Sequence, residues 1–245
     1  IALQVGKNNI AVEFITKALA IKPDYAEAHN NLGNVLRELG RLEDAVTNYR
    51  KAFAIKPDYP EAHSNLGIAL QDLGMSEEAT AIYRKVLGLK PDYAEAHNNL
   101  GNALKDQGKL EEAVASYHKA LALKPDYAEA HSNLGNTLRD LGKLDEAVAS
   151  YHKALAIRPD FPEALGNYGF LLLDLGRKQK ALSCFRKKLG LERGENPTSP
   201  DLESFRFITK AKMKHDIEQF RYLASLGTDA DRFGKLARTY SELDR

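Results

Sequence analysis

The sequence predicts an all-α fold in which antiparallel helix pairs stack side by side into a solenoid, and three observations carry that prediction. The chain repeats itself every 34 residues. Each repeat holds two apolar patterns of helical spacing divided by a glycine, and each closes on a proline-containing turn. Four ladders run in register: Gly6, Gly40, Gly74, Gly108, Gly142 and Gly176; Ala11, Ala45, Ala79, Ala113, Ala147 and Ala181; Tyr49, Tyr83, Tyr117, Tyr151 and Phe185; and Pro23, Pro57, Pro91, Pro125 and Pro159. A single helix pair cannot bury its apolar face, so the units must stack.

Residues 1–25 fit only the back part of a unit. Together with a first residue that is Ile1 rather than Met, this leads us to expect an excerpt of a longer polypeptide. In the first complete unit, 26–59, "AEAHNNLGNVLREL" predicts a first helix and "LEDAVTNYRKAFAI" a second. Gly40 between them suits the left-handed position that ends a helix, and "KPDY" closes the unit. Asp24 and Glu27, and their equivalents in each unit, have capping-box spacing, with Asp expected as the N-cap. Gly33, Ala45 and Ala52 are small residues where the two helices should approach closely. Units 60–93, 94–127 and 128–161 repeat this plan. Unit 162–195 departs from it: Leu165 replaces histidine, Phe170 and Leu173 enter the polar stripe, Lys188 replaces alanine and the closing turn is lost. "ERGENPTSPD" reads as a loop, followed by amphipathic patterns from Leu202 to Leu226 and from Asp229 to Tyr240. Residues 196–245 are therefore expected to be a helical extension capping the array's last apolar face.

Counting from Ala26, the unit places a bulky residue at position 4 (His29), Leu32-Gly33 at 7–8, Ala45 at 20, Tyr49 at 24, Ala52 at 27 and Pro57 at 32. In this pattern residues 1–195 resemble the tetratricopeptide repeat (TPR) family, although that family usually has another bulky side chain where His29, His63, His97 and His131 stand. The resemblance implies a right-handed superhelix whose first helices line a concave surface that binds proteins or peptides.

One polar stripe on the first helices calls for an explanation. Positions 2, 6, 9 and 13 share a helix face. Position 6 is Asn31, Asn65, Asn99, Asn133 and Asn167; position 9 is Asn34, Ile68, Asn102, Asn136 and Phe170; position 13 is Glu38, Asp72, Asp106, Asp140 and Asp174. Asparagine is a mediocre helix former. It offers, however, an acceptor and a donor on one planar group, the complement of a peptide unit. Packed helices lie about 8–10 Å apart and an extended chain advances about 3.3–3.6 Å per residue, so one rung meets about every third ligand residue. The candidate peptide-binding residues are therefore Asn31, Asn65, Asn99, Asn133 and Asn167, with Asn34, Asn102 and Asn136 beside them. Asp72, Asp106 and Asp140, partly offset by Arg37, Lys105 and Arg139, are expected to favour basic or neutral extended segments. The amides could equally bridge neighbouring repeats. The ladder and its acidic flank also resemble the TPR region of O-linked N-acetylglucosamine transferases, which implies a substrate-recruiting arm for a catalytic domain elsewhere. A scaffold assembling through its outer face is a third reading.

Other functions find little support. The charge is nearly balanced, 35 Lys+Arg against 34 Asp+Glu, which argues against a nucleic-acid partner. No apolar run is long enough to span a membrane. The lone Cys184 suits a reducing, cytoplasmic setting and reads as a small buried hydrophobe. Histidines one repeat apart are too distant to share a zinc ion, so they are expected to pack between helices, while His118 and His152 face outward. No metal, cofactor or catalytic constellation is expected. Glu27, Glu61, Glu95, Glu129 and Glu163 stand where a carboxylate-binding clamp would need lysine.

Overall fold

The structure is a computed structural model and describes residues 2–193. The described residues form helices joined by tight turns: α1 (Ala2–Ile21), α2 (Ala26–Glu38), α3 (Leu42–Ile55), α4 (Pro60–Asp72), α5 (Ser76–Leu89), α6 (Ala94–Asp106), α7 (Leu110–Leu123), α8 (Ala128–Asp140), α9 (Leu144–Ile157), α10 (Pro162–Asp174) and α11 (Lys178–Arg193). They fall into two compact units, Ile1–Arg158 and Pro159–Arg245. The sequence patterns at 202–226 and 229–240, and the expected boundary at 195–196, lie outside the described residues.

Within the first unit every helix packs on its successor, and the first helices α2, α4, α6 and α8 also touch in turn. Cavities open instead between the second helices α5, α7 and α9. The first helices of this unit therefore lie on the inner side of a curve and the second helices on the outer side. In the second unit, α10 packs on α11.

Each pair is locked by a tyrosine lying in a slot cut by a glycine. Tyr49, Tyr83, Tyr117 and Tyr151 are fully buried, as are Ala45, Ala79, Ala113 and Ala147 one turn earlier on the same helices. A Cβ on Gly33 would lie 2.6 Å from Tyr49 Cε1, one on Gly67 2.5 Å from Tyr83 Cζ, and one on Gly101 2.6 Å from Tyr117 Cε1. Gly169 meets Phe185 in the second unit in the same way, at 2.7 Å. Only a residue without a side chain lets the aromatic ring reach the neighbouring backbone.

The helix ends follow one plan. Gly40 has φ +74°, and its equivalents Gly74, Gly108, Gly142 and Gly176 have φ between 72° and 76°. Arg41 N donates to Leu36 O at 2.9 Å and Gly40 N to Arg37 O at 3.0 Å, the paired bonds of a Schellman closure. Gly6 departs from its ladder: it lies inside α1, which runs unbroken through the place where a turn was expected.

The helix starts correct the expected capping box. The first helical residue is Ala26, and the N-cap is Tyr25 in extended conformation, with no side-chain cap hydrogen bond. Tyr59, Tyr93, Tyr127 and Phe161 take the same place. Asp24 falls in the turn one residue too early to cap. A lysine lies near each of these tyrosine rings, with Lys22 Nζ 5.1 Å from the Tyr25 centroid and Lys56, Lys90 and Lys124 at 4.9, 4.8 and 4.7 Å from those of Tyr59, Tyr93 and Tyr127. Histidine makes a different bond there, with the turn and not with the free N–H groups of the helix start. His29, His97 and His131 place Nε2 at 3.0, 2.9 and 3.0 Å from the carbonyl oxygens of Pro23, Pro91 and Pro125. The imidazoles thus tie the inter-repeat turn to the helix that follows it.

Two outcomes follow for stability. Gly101→Ala forces the buried Tyr117 ring aside and is expected to cost about 1–3 kcal/mol. Gly135→Ala, whose Cβ would have 3.1 Å to the nearest Tyr151 atom, should cost less; urea unfolding followed by circular dichroism ranks the two. The second concerns pH. Burial raises the phenol pKa of Tyr49 from 10.0 to about 12 and also raises those of Tyr83, Tyr117 and Tyr151. A phenol whose pKa is higher in the folded state favours folding fully below the unfolded value and loses that contribution as pH rises past it. The thermal midpoint should therefore fall between pH ~9 and pH ~11.5; a flat profile over that window would contradict the burial.

Candidate functional site

The polar stripe lies on the inner helices, and its three rows have different surroundings. Asn31 is exposed, while Asn65, Asn99, Asn133 and Asn167 are half-buried. Neighbouring repeats take up part of their hydrogen-bonding capacity. Asn65 Nδ2 donates to Asn30 Oδ1 at 3.0 Å, and Asn133 Nδ2 to Asn98 Oδ1 at 3.0 Å. Asn98 Nδ2 in turn donates to Asn99 Oδ1 at 3.2 Å. Asn65 and Asn133 thus keep a carbonyl oxygen and one N–H, whereas Asn99 keeps its NH₂ group. The cause is the residue one place earlier, which runs Asn30, Ser64, Asn98, Ser132. Both Asn30 and Asn98 are buried and act as acceptors for the repeat that follows.

The second row supports the core. Tyr49 Oη donates to Asn34 Oδ1 at 2.8 Å, Tyr117 Oη to Asn102 Oδ1 at 2.8 Å, and Tyr151 Oη to Asn136 Oδ1 at 2.5 Å. In each pair the phenol donates its hydrogen and the amide oxygen accepts it. These asparagines satisfy a buried hydroxyl with their carbonyl and keep the NH₂ group. Ile68 cannot do this, and there Tyr83 Oη reaches Gln71 Oε1 at 2.9 Å instead.

The carboxylate row is engaged along the stack. Asp72 meets Arg37 at 3.7 Å, and Asp140 meets Lys105 at 3.4 Å and Arg139 at 3.4 Å. Asp106 receives only the neutral amide of Gln71, at 3.0 Å. The residue before this position in one repeat therefore reaches the aspartate of the next. The offsetting cations stand directly on Asp72 and Asp140. The glutamates at position 2 are paired likewise: Glu27 with Lys56, Glu95 with Lys124 and Glu129 with Arg158, at 3.1, 3.4 and 2.7 Å. These pairs are solvent-exposed and each contributes little to stability.

The sequence reading did not foresee that Asn30 and Asn98 would act as acceptors, although the alternation of "NN" and "SN" in successive repeats is their visible trace. Cys184, expected to be buried, is half-buried, and its thiol pKa is raised by what burial it has. His118 and His152 are exposed on second helices. No described helix is long and apolar enough to cross a membrane, and no three potential ligands among the described residues are placed to hold a metal.

The comparisons with known proteins agree with this architecture. The model described as "TPR repeat" matches residues 33–74, 72–108, 101–138 and 135–176, and two described as "Tetratricopeptide repeat" match 14–47 and 162–194. A comparison with curated sequences gives no match. Among solved structures, a thermophilic TPR protein of Thermus thermophilus is 28% identical, with TM-score 0.63, over 77% of this chain and all of its own. MamA is 28% identical, with TM-score 0.57, over 66% of this chain and 95% of its own. YrrB, a TPR protein with an unusual peptide-binding site, shares the fold at 24% identity and TM-score 0.54, over 74% of this chain and 94% of its own. Repeats of this kind are non-catalytic protein-interaction scaffolds. On the match across 33–176, more than half of its length, the chain belongs to the tetratricopeptide repeat family.

Proposed function

We propose that the inner face of the first unit holds an extended peptide by its main chain, with the two asparagine rows acting as complementary donors and acceptors. The observation that carries this reading is the partial engagement of the amides. Asn34, Asn102 and Asn136 use their oxygens on buried tyrosines and keep N–H groups for a ligand carbonyl. Asn65 and Asn133 use one N–H on the preceding repeat and keep an oxygen for a ligand N–H. The rows lie three residues apart on one helix face, about 4.5 Å along the axis. Bridging between repeats therefore fixes the amides in orientation and leaves half of each available.

Such pairing reads backbone and tolerates varied side chains. Each hydrogen bond contributes about 0.5–1.5 kcal/mol net against several kcal/mol of lost freedom on association, so micromolar or weaker affinity is the expectation. Charge adds a local preference. Asp106 is held only by a neutral amide, so a basic ligand residue fits opposite α6 better than elsewhere on the row.

Isothermal titration with extended peptides tests this. Asn65→Ala/Asn99→Ala/Asn133→Ala should weaken binding about tenfold or more, and its midpoint should also fall because the buried Asn30 and Asn98 oxygens lose their donors; binding is therefore measured well below that midpoint. Undiminished binding by this variant would overturn the reading. Asn34→Ala orphans the Tyr49 hydroxyl and should cost about 1–3 kcal/mol of stability. Asp106→Asn should narrow the preference for lysine-containing over glutamate-containing peptides, and the effect should fade as salt is raised.

A further inference from the structure

Among the described residues, the outer face of the first unit carries open grooves between α5 and α7 and between α7 and α9, and a filled one between α3 and α5 that shows what fits them. Between α5 and α7, floored by α6, lies a cavity of about 430 Å³ lined by Leu87, His97 and Lys119 among others. Between α7 and α9, floored by α8, a cavity of about 520 Å³ is lined by the equivalent residues Leu121, His131 and Lys153. Between α3 and α5 the same three positions are Phe53, His63 and Lys85. There the Phe53 ring stands edge-on to His63, centroids 4.4 Å apart, and Lys85 Nζ lies 4.0 Å from the Phe53 centroid. Ile82 in that repeat takes the place of Ser116 and Ser150 in the open grooves.

The histidine of the filled groove uses a different nitrogen. Beside Phe53, His63 Nδ1 lies 2.7 Å from Tyr59 O, whereas His97 and His131 use Nε2 on a proline carbonyl. His97 lines its cavity, is 9% exposed, and its Nδ1 has no hydrogen-bond partner. With Nε2–H donating to the Pro91 carbonyl, that nitrogen carries a lone pair without a donor. Lys119 and Lys153 at the two rims form no ion pair with the described residues, unlike Arg84, which meets Glu112 at 3.5 Å.

We propose that the α5/α7 and α7/α9 grooves each receive an aromatic side chain from an acidic segment of a partner protein. The ring lies on His97 or His131 and under Lys119 or Lys153, as Phe53 lies between His63 and Lys85. Tyrosine suits the α5/α7 groove best, because its O–H supplies the donor that His97 Nδ1 lacks, and carboxylates beside it in sequence meet the rim lysines. This surface lies on the second helices and is independent of the asparagine rows.

The test uses the 245-residue chain and an Asp-Tyr-Asp peptide. Titration should shift the imidazole resonances of His97 and His131 through the ring current of the ligand and leave His63 unmoved. Asp-Leu-Asp and Lys-Tyr-Lys peptides should bind about tenfold or more weakly. Leu87→Phe/Ser116→Ile/Leu121→Phe/Ser150→Ile copies the filled groove into the other two and should abolish the shifts, while Asn65→Ala/Asn99→Ala/Asn133→Ala leaves them intact. Equal binding of the leucine peptide, equal binding by the filled variant, or unshifted His97 and His131 in the wild-type chain at millimolar peptide would each overturn the proposal. The last of these needs no substituted protein.

Discussion

The contact on which the rest of this structure depends is a tyrosine ring lying against bare glycine backbone. It sets how closely the two helices of a pair approach, and it does so in every complete repeat. The ring brings its hydroxyl to the inner edge of the pair, where a buried O–H must find an acceptor. Asn34, Asn102 and Asn136 stand there for that reason, with Gln71 substituting where Ile68 cannot. Part of what resembles a binding row is therefore a consequence of core packing. The aromatic residue in the core and the amide on the surface belong to one device.

This coupling explains how polar residues on an inner face can serve two purposes. An amide has two ends, and the fold engages one of them. The remaining end is held in place by the bond the first end makes, so its orientation is fixed before any ligand arrives. Preorganised groups lose less freedom on binding than mobile ones. The aspartates behave differently, because Arg37, Gln71 and Lys105 reach across to them from the preceding repeat. They contribute first to the register between neighbours, and of Asp72, Asp106 and Asp140 it is Asp106 that has no cation on it among the described residues.

The architecture was legible because its signals are periodic: a glycine at the same place in each of several repeats identifies a left-handed residue more firmly than any single glycine could. The same reasoning misjudged Gly6, which lies inside α1 and forms no turn. The capping box failed for another reason. Asp-x-x-Glu spacing is the same whether the helix starts at Ala26 or one residue earlier, and the extended backbone of Tyr25 decides that question. The histidines were legible as packing residues, but their bond to a proline carbonyl six residues back depends on the path of the turn. The difference between Asn31, exposed, and the half-buried Asn65 and Asn99 comes from neighbours across repeats, which a pattern within one repeat does not contain.

The ties described here run within one repeat or between adjacent repeats: ring to glycine, imidazole to the turn just before it, carboxylate to the cation one unit back, amide to amide. A stack joined only to its nearest neighbours has no long-range contact to make it melt as a whole, so it can fray from an end, one hairpin at a time. A strand lying along several hairpins would supply the missing long-distance link. Its arrival would be registered far from any single point of contact, as slower hydrogen exchange in the terminal helices and a sharper melting transition for the entire array.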